Sequence, residues 1–75
     1  MFNVFNTSGK VVYKNISMGF WGIEGDQGEK WLPTNLPEAY QKEGLNIVFT
    51  AMPNDEAMNM YMWGTTIDII SVTEV

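Results

Sequence analysis

Cysteine, histidine and arginine are all absent from this 75-residue chain. Without cysteine there is no disulfide and no thiolate metal site, and without histidine the commonest nitrogen ligand and general base is missing as well. Ser8, Ser17 and Ser71 therefore have no partner of the usual kind to activate them as nucleophiles. Acid-base chemistry would fall to carboxylates alone, and a paired-carboxylate glycosidase site needs a deep cleft that so short a chain rarely builds. The expectation is a protein that is not an enzyme and holds no cofactor.

Basic charge is also scarce. Four lysines stand against nine acids, for a net charge of −5. Along the chain Lys10, Lys14, Lys30 and Lys42 are scattered between acids, which argues against nucleic acid and against anionic membrane surfaces, because both recruit clustered cations. No run of eighteen apolar residues is present, so no membrane insertion is expected. The opening Met1 to Lys10 lacks the basic and apolar regions of a signal peptide. Localisation is left unknown on these grounds.

What the chain does have is apolar and aromatic substance: 45% hydrophobic residues, with six methionines, three tryptophans, three tyrosines and four phenylalanines. Size scaling for one domain of this length gives about 4,700 Å² of folded surface, with about 60% of the unfolded surface removed from water.

The pattern is mostly β. Residues 1–9 read as a loosely ordered leader or an edge strand. Lys10 to Ser17 is dense in β-branched and aromatic residues, and Phe20 to Glu24 and Glu29 to Leu32 flank the turn residues Gly25-Asp26-Gln27-Gly28 as a hairpin. After Pro33, Asn35 is placed as a helix cap, Pro37 suits a first turn, Glu38 stands three residues after the cap, and Gly44 suits the far end. A helix of about two turns is expected there. Leu45 to Met52 alternates cleanly, with Leu45, Ile47, Phe49 and Ala51 on one face. Pro53-Asn54-Asp55 turns the chain into an expected strand at Met58 to Trp63, Gly64 marks a corner, and Thr65 to Val72 is a last, isoleucine-rich strand.

Five or six strands with one short helix between the third and fourth match a small all-β barrel of the OB type, formed as a single domain by residues 10–75. An SH3-like barrel has similar strand counts and ordinarily lacks the helix at that place. The motifs Trp21-Gly22-Ile23, Asp26-Gln27-Gly28, Leu32-Pro33-Thr34-Asn35-Leu36-Pro37, Gly44-Leu45 and Met62-Trp63-Gly64-Thr65 resemble those of a group of small OB-like domains of bacterial and archaeal proteins, often exported ones. The resemblance covers about Ser17 to Val72 and implies the fold and an exported parent protein. It implies no catalytic residue.

Two constellations stand out. Met58, Met60 and Met62 recur at every second position, and thioethers favour Cu(I), although methionine equally fills irregular interiors. Asn59, Tyr61 and Trp63 occupy the alternate positions; with the methionines inward these three point out and, with Trp21, compose a candidate aromatic platform of the sort OB barrels present to ligands, the other reading being that the helix or the N-terminal leader covers the rings. The reading that follows is a non-catalytic binding or interaction module. Its partner would be a protein, peptide or saccharide, and the domain itself a monomer or weak dimer. The alternatives are a methionine-rich soft-metal domain and a purely structural accessory domain.

Overall fold

Five strands form in the computed structural model, which describes residues 3–57 and 61–75. They are β1 (Phe5–Lys14), β2 (Phe20–Glu24), β3 (Lys30–Pro33), β4 (Asn46–Pro53) and β5 (Thr65–Glu74). They close into a barrel in the order β1-β2-β3-β5-β4, with β1 paired to both β2 and β4 and all pairings antiparallel except β3 with β5. This is a small OB-like barrel, with a solvent-accessible surface of 4977 Å².

β1 begins at Phe5 rather than Lys10, and its first half is paired with β4 from Phe5 to Lys10. Polar residues hide this strand in the sequence because they occupy its outward positions; Asn6 Nδ2 donates to Thr50 Oγ1 at 2.7 Å across the pair. At Lys10 the strand passes from β4 to β2, facing Asn46 on one side and Glu24 on the other. Gly9 makes that bend possible, since a Cβ there would lie 2.6 Å from Ile23 Cγ2.

The core follows the alternation. Val11, Ile23, Ile47, Phe49 and Ile67 are almost wholly buried, joined by Ala51, Ile69 and, from the segment after β3, Leu36. The β4–β5 register shifts so that Thr50 faces Ser71 and Ala51 faces Ile69, leaving Ile70 as an extra, bulged residue that is 56% exposed. The bulge reverses the phase of β5. Ile67 and Ile69 point inward before it, and Val72 packs on the core after it.

The expected two-turn helix is reduced to a 3₁₀ turn at Glu38–Tyr40. Pro37 precedes it in extended conformation and no side chain caps it. Asn35 is engaged elsewhere: its Nδ2 donates to Ile69 O at 2.9 Å and its Oδ1 accepts from Ile69 N at 2.7 Å. One side-chain amide thus continues the β3–β5 pairing past Pro33 and leaves nothing to start a helix. Gly44, at φ +83°, then turns the chain so that its N–H meets Val11 O at 2.7 Å and Leu45 reaches the core.

Serine at position 35 would keep a cap-competent oxygen but lack the amide that spans both backbone groups of Ile69. Asn35→Ser is therefore expected to lose about 1–3 kcal/mol in urea denaturation, close to Asn35→Ala. A serine variant as stable as the parent would show that capping is the residue's role after all.

Candidate functional site

Register and alternation together define the outer face of β1, β2 and β3. Val11, Ile23 and Trp31 share the inner side, so Val12 with Gly22, Lys14 with Phe20, and Lys10 with Glu24 and Lys30 fall on the outer one. Leu32 and its β5 partner Thr66 follow on the same side. Val12, Phe20, Leu32 and Thr66 are nevertheless buried, and none of them belongs to the core cluster. Something outside the barrel covers them.

That cover includes the end of the β4–β5 loop. The ring of Tyr61 lies 4.3 Å and that of Trp63 5.4 Å from the ring of Phe20. Tyr61 Oη donates to Gly19 O at 3.4 Å. Trp63 settles onto Gly22, where a Cβ would come within 2.4 Å of the indole. Gly64, at φ +68°, brings the chain so close to β3 that a Cβ would lie 2.6 Å from Lys30 O.

The expected strand at Met58 to Trp63 is corrected where it is described. Residues 61–64 are turn and irregular structure, and Met62 has φ +49°. The consequence reverses the expected faces: Met62 is 92% exposed, while Tyr61 and Trp63 are half-buried against the barrel. Met58, Asn59 and Met60 lie outside the described residues. Glu24 and Glu29 flank the β2–β3 turn: Glu24 pairs with Lys14 at 3.1 Å, and Glu29 Oε1 accepts from Gln27 N at 2.9 Å.

Between Tyr61 and the segment after β3 runs a groove of about 290 Å³. Phe20 and Leu32 form its apolar floor, Tyr61 one wall, and Asn35, Leu36 and Gln41 the other, with Trp21 and Thr66 also lining it. The volume is near the lower end of small-ligand sites. Gln41 Nε2 donates to Leu36 O at 2.9 Å, which uses one of the amide's two protons and holds that wall in place. Of the four candidates named from the sequence, Trp21 and Tyr61 line this groove, Trp63 is not among its lining residues and Asn59 lies outside the described residues. Phe20, Leu32, Asn35 and Gln41 were not among the candidates, Asn35 because it was placed as the cap of the expected helix.

The two walls are tied together through β5. Pro33 and Pro53 both face Ile67, one from each side. The next residue of each strand then donates to β5, Thr34 N to Ile67 O and Asn54 N to Thr66 O, both at 2.9 Å. Their side chains converge on Asp68: the Thr34 hydroxyl donates to Oδ1, and Asn54 Nδ2 donates to both oxygens at 3.0 and 3.1 Å. Asn54 Oδ1 in turn accepts from Glu56 N and Ala57 N, shaping the start of the β4–β5 loop. The Thr34 hydroxyl, and after it the Asn54 amide, hold the Asp68 carboxyl below the usual aspartate range.

The register also corrects the scatter of lysines seen along the chain. Lys10, Lys14 and Lys30 share the outer face of β1–β2–β3, with Glu24 among them. The Lys14 and Lys30 ammonium groups lie 5.8 and 6.0 Å from the centre of the Trp63 ring. These are cation–π distances.

The fold and this outer face define the class, a small OB-like barrel with a groove on the outside of β2 and β3. Comparison with protein-family models, with curated proteins and with solved structures found no match.

Gly22→Ala is expected to lift Trp63 from β2, red-shifting tryptophan emission and lowering stability by about 1–3 kcal/mol. Unchanged emission would show that the indole does not rest there. For Asp68 the lowered pKa means that the ionised form adds stability above the ordinary aspartate value, and that this is lost as pH falls through the depressed one. The melting temperature of Asp68→Asn should thus lie below the parent's at neutral pH and converge on it under acid. A gap independent of pH would count against the carboxylate's role.

Proposed function

We propose that the domain is a non-catalytic binding module that takes a saccharide in the groove between Tyr61 and Gln41. The observation that carries this reading is the groove itself, with an aromatic wall, an apolar floor and amide side chains opposite. Sugars offer apolar CH faces to aromatic rings and hydroxyls to amides, so this lining suits them. Among the described residues that line it, Tyr61 carries the one ionisable group, which supports binding rather than acid-base catalysis.

A peptide is the weaker fit for a physical reason. Extended peptides gain affinity by adding to an open sheet edge. Here β3 is paired on both sides, with β2 and β5, and β2 meets β3 only at Ile23 and Glu24, so a peptide would find no more than the three residues Phe20 to Gly22 as a sheet edge under the groove. Nucleic acid is disfavoured by the net charge of −5 and the absence of arginine.

The test is a titration of ¹⁵N-labelled protein with cellotriose, maltotriose and trigalacturonate. At least one should shift the Trp21 indole N–H saturably, and Tyr61→Ala and Gln41→Ala should each weaken that binding about tenfold, or about 1.4 kcal/mol. Two variants on opposite walls guard against a folding defect in either. No shift with any of the three, or shifts indifferent to both variants, would overturn the proposal.

A further inference from the structure

The groove floor does not stop at its walls. Phe20 faces Lys14 across the β1–β2 pair, and Leu32 lies two residues from Lys30 on the same outer side of β3. A ligand leaving the groove along this face therefore meets cations. Three of the chain's four lysines are gathered here with a single strand carboxylate, Glu24, on a protein whose net charge is −5.

Glu24 neutralises only one of them. It pairs with Lys14 at 3.1 Å, and among the described residues neither Lys10 nor Lys30 has a carboxylate within ion-pair distance. In the register Lys10 and Lys30 flank Glu24 across β1, β2 and β3, and since the Glu24 carboxylate is taken by Lys14, the face carries two lysine charges beyond its one carboxylate.

We infer that the saccharide of the groove is an acidic one, whose carboxylate is received by Lys30 and Lys10 on the outer face of β1–β2–β3; this rests on the groove reading above. The preference for a carboxylate over a phosphoryl group follows from charge density. A densely charged polyanion would be repelled by the acidic remainder of the molecule, whereas a short uronate need approach only the basic face.

Trp63 supplies the readout, because the Lys30 ammonium lies 6.0 Å from its ring while Trp21 lines the groove. The probes are trigalacturonate and its uncharged methyl ester, followed through the two indole N–H signals. Trigalacturonate should shift both signals and bind at least tenfold more tightly than the ester. Lys30→Gln with Lys10→Gln should erase that difference without weakening the ester, and raising the salt concentration should do the same. Equal binding of acid and ester, abolished by Tyr61→Ala, would overturn the acidic preference and leave the groove reading standing. Acid binding that moves Trp63 and not Trp21, indifferent to Tyr61→Ala, would leave the lysine site standing and remove the groove. Binding of neither probe would overturn the inference outright, and trithymidylate binding more tightly than trigalacturonate would assign the face to phosphodiesters instead.

Discussion

Closure of the barrel depends on β5 accepting two strands at one residue. Ile67 is flanked by Pro33 of β3 and Pro53 of β4, and proline offers no N–H to continue a ladder. Each strand must end there, and the hydrogen bonding is resumed one residue later by Thr34 and Asn54. Asp68 then gathers both side chains, and Asn35 bonds Ile69 in place of a longer β3. The parallel pairing of β3 with β5 covers only three residue pairs, so these side-chain bonds supply much of what holds that seam.

From this seam both walls of the groove depart. The segment from Thr34 to Gln41 follows β3 and the loop beginning at Asn54 follows β4, and each supplies side chains that line the groove. Tyr61 and Trp63 bury Phe20 and Gly22 there. The result is a second apolar layer, small and external, built on the reverse side of strands whose inner side forms the core. Glycine matters at Gly9 and Gly22 for the same reason, that another side chain occupies the space a Cβ would need.

Much of the barrel was legible in the sequence. β4 alternates cleanly because one of its faces meets the core and the other does not, and the hairpin of β2 and β3 is announced by its glycine-rich turn. The first half of β1 was obscured by Asn6 and Gly9, whose propensities argue against a strand that tertiary pairing imposes. Asn35 misled for a more specific reason: an asparagine that caps a helix and one that bridges a strand use the same amide, and only the position of Ile69 distinguishes them. The site was half visible. Aromatic residues drew attention to Trp21, Tyr61 and Trp63, but period-two reasoning put Tyr61 and Trp63 on the wrong footing, since Met62 at φ +49° breaks the alternation. Nor does spacing along the chain show that Lys10, Lys14 and Lys30 share a face, which is a property of strand register.

The bulge at Ile70 lets one strand serve both sides of this arrangement. Before it, β5 closes the barrel beneath the groove; after it, β5 completes the sheet with β1 and β4 at the far end. The residues that seal the core and those that shape the outer layer are therefore largely different sets. Sites that share no partners contribute nearly independently to free energy. Substitutions along the outer loop can then retune what the face receives while the barrel's folding equilibrium stays almost unchanged, so recognition can drift over evolutionary time on a scaffold that does not.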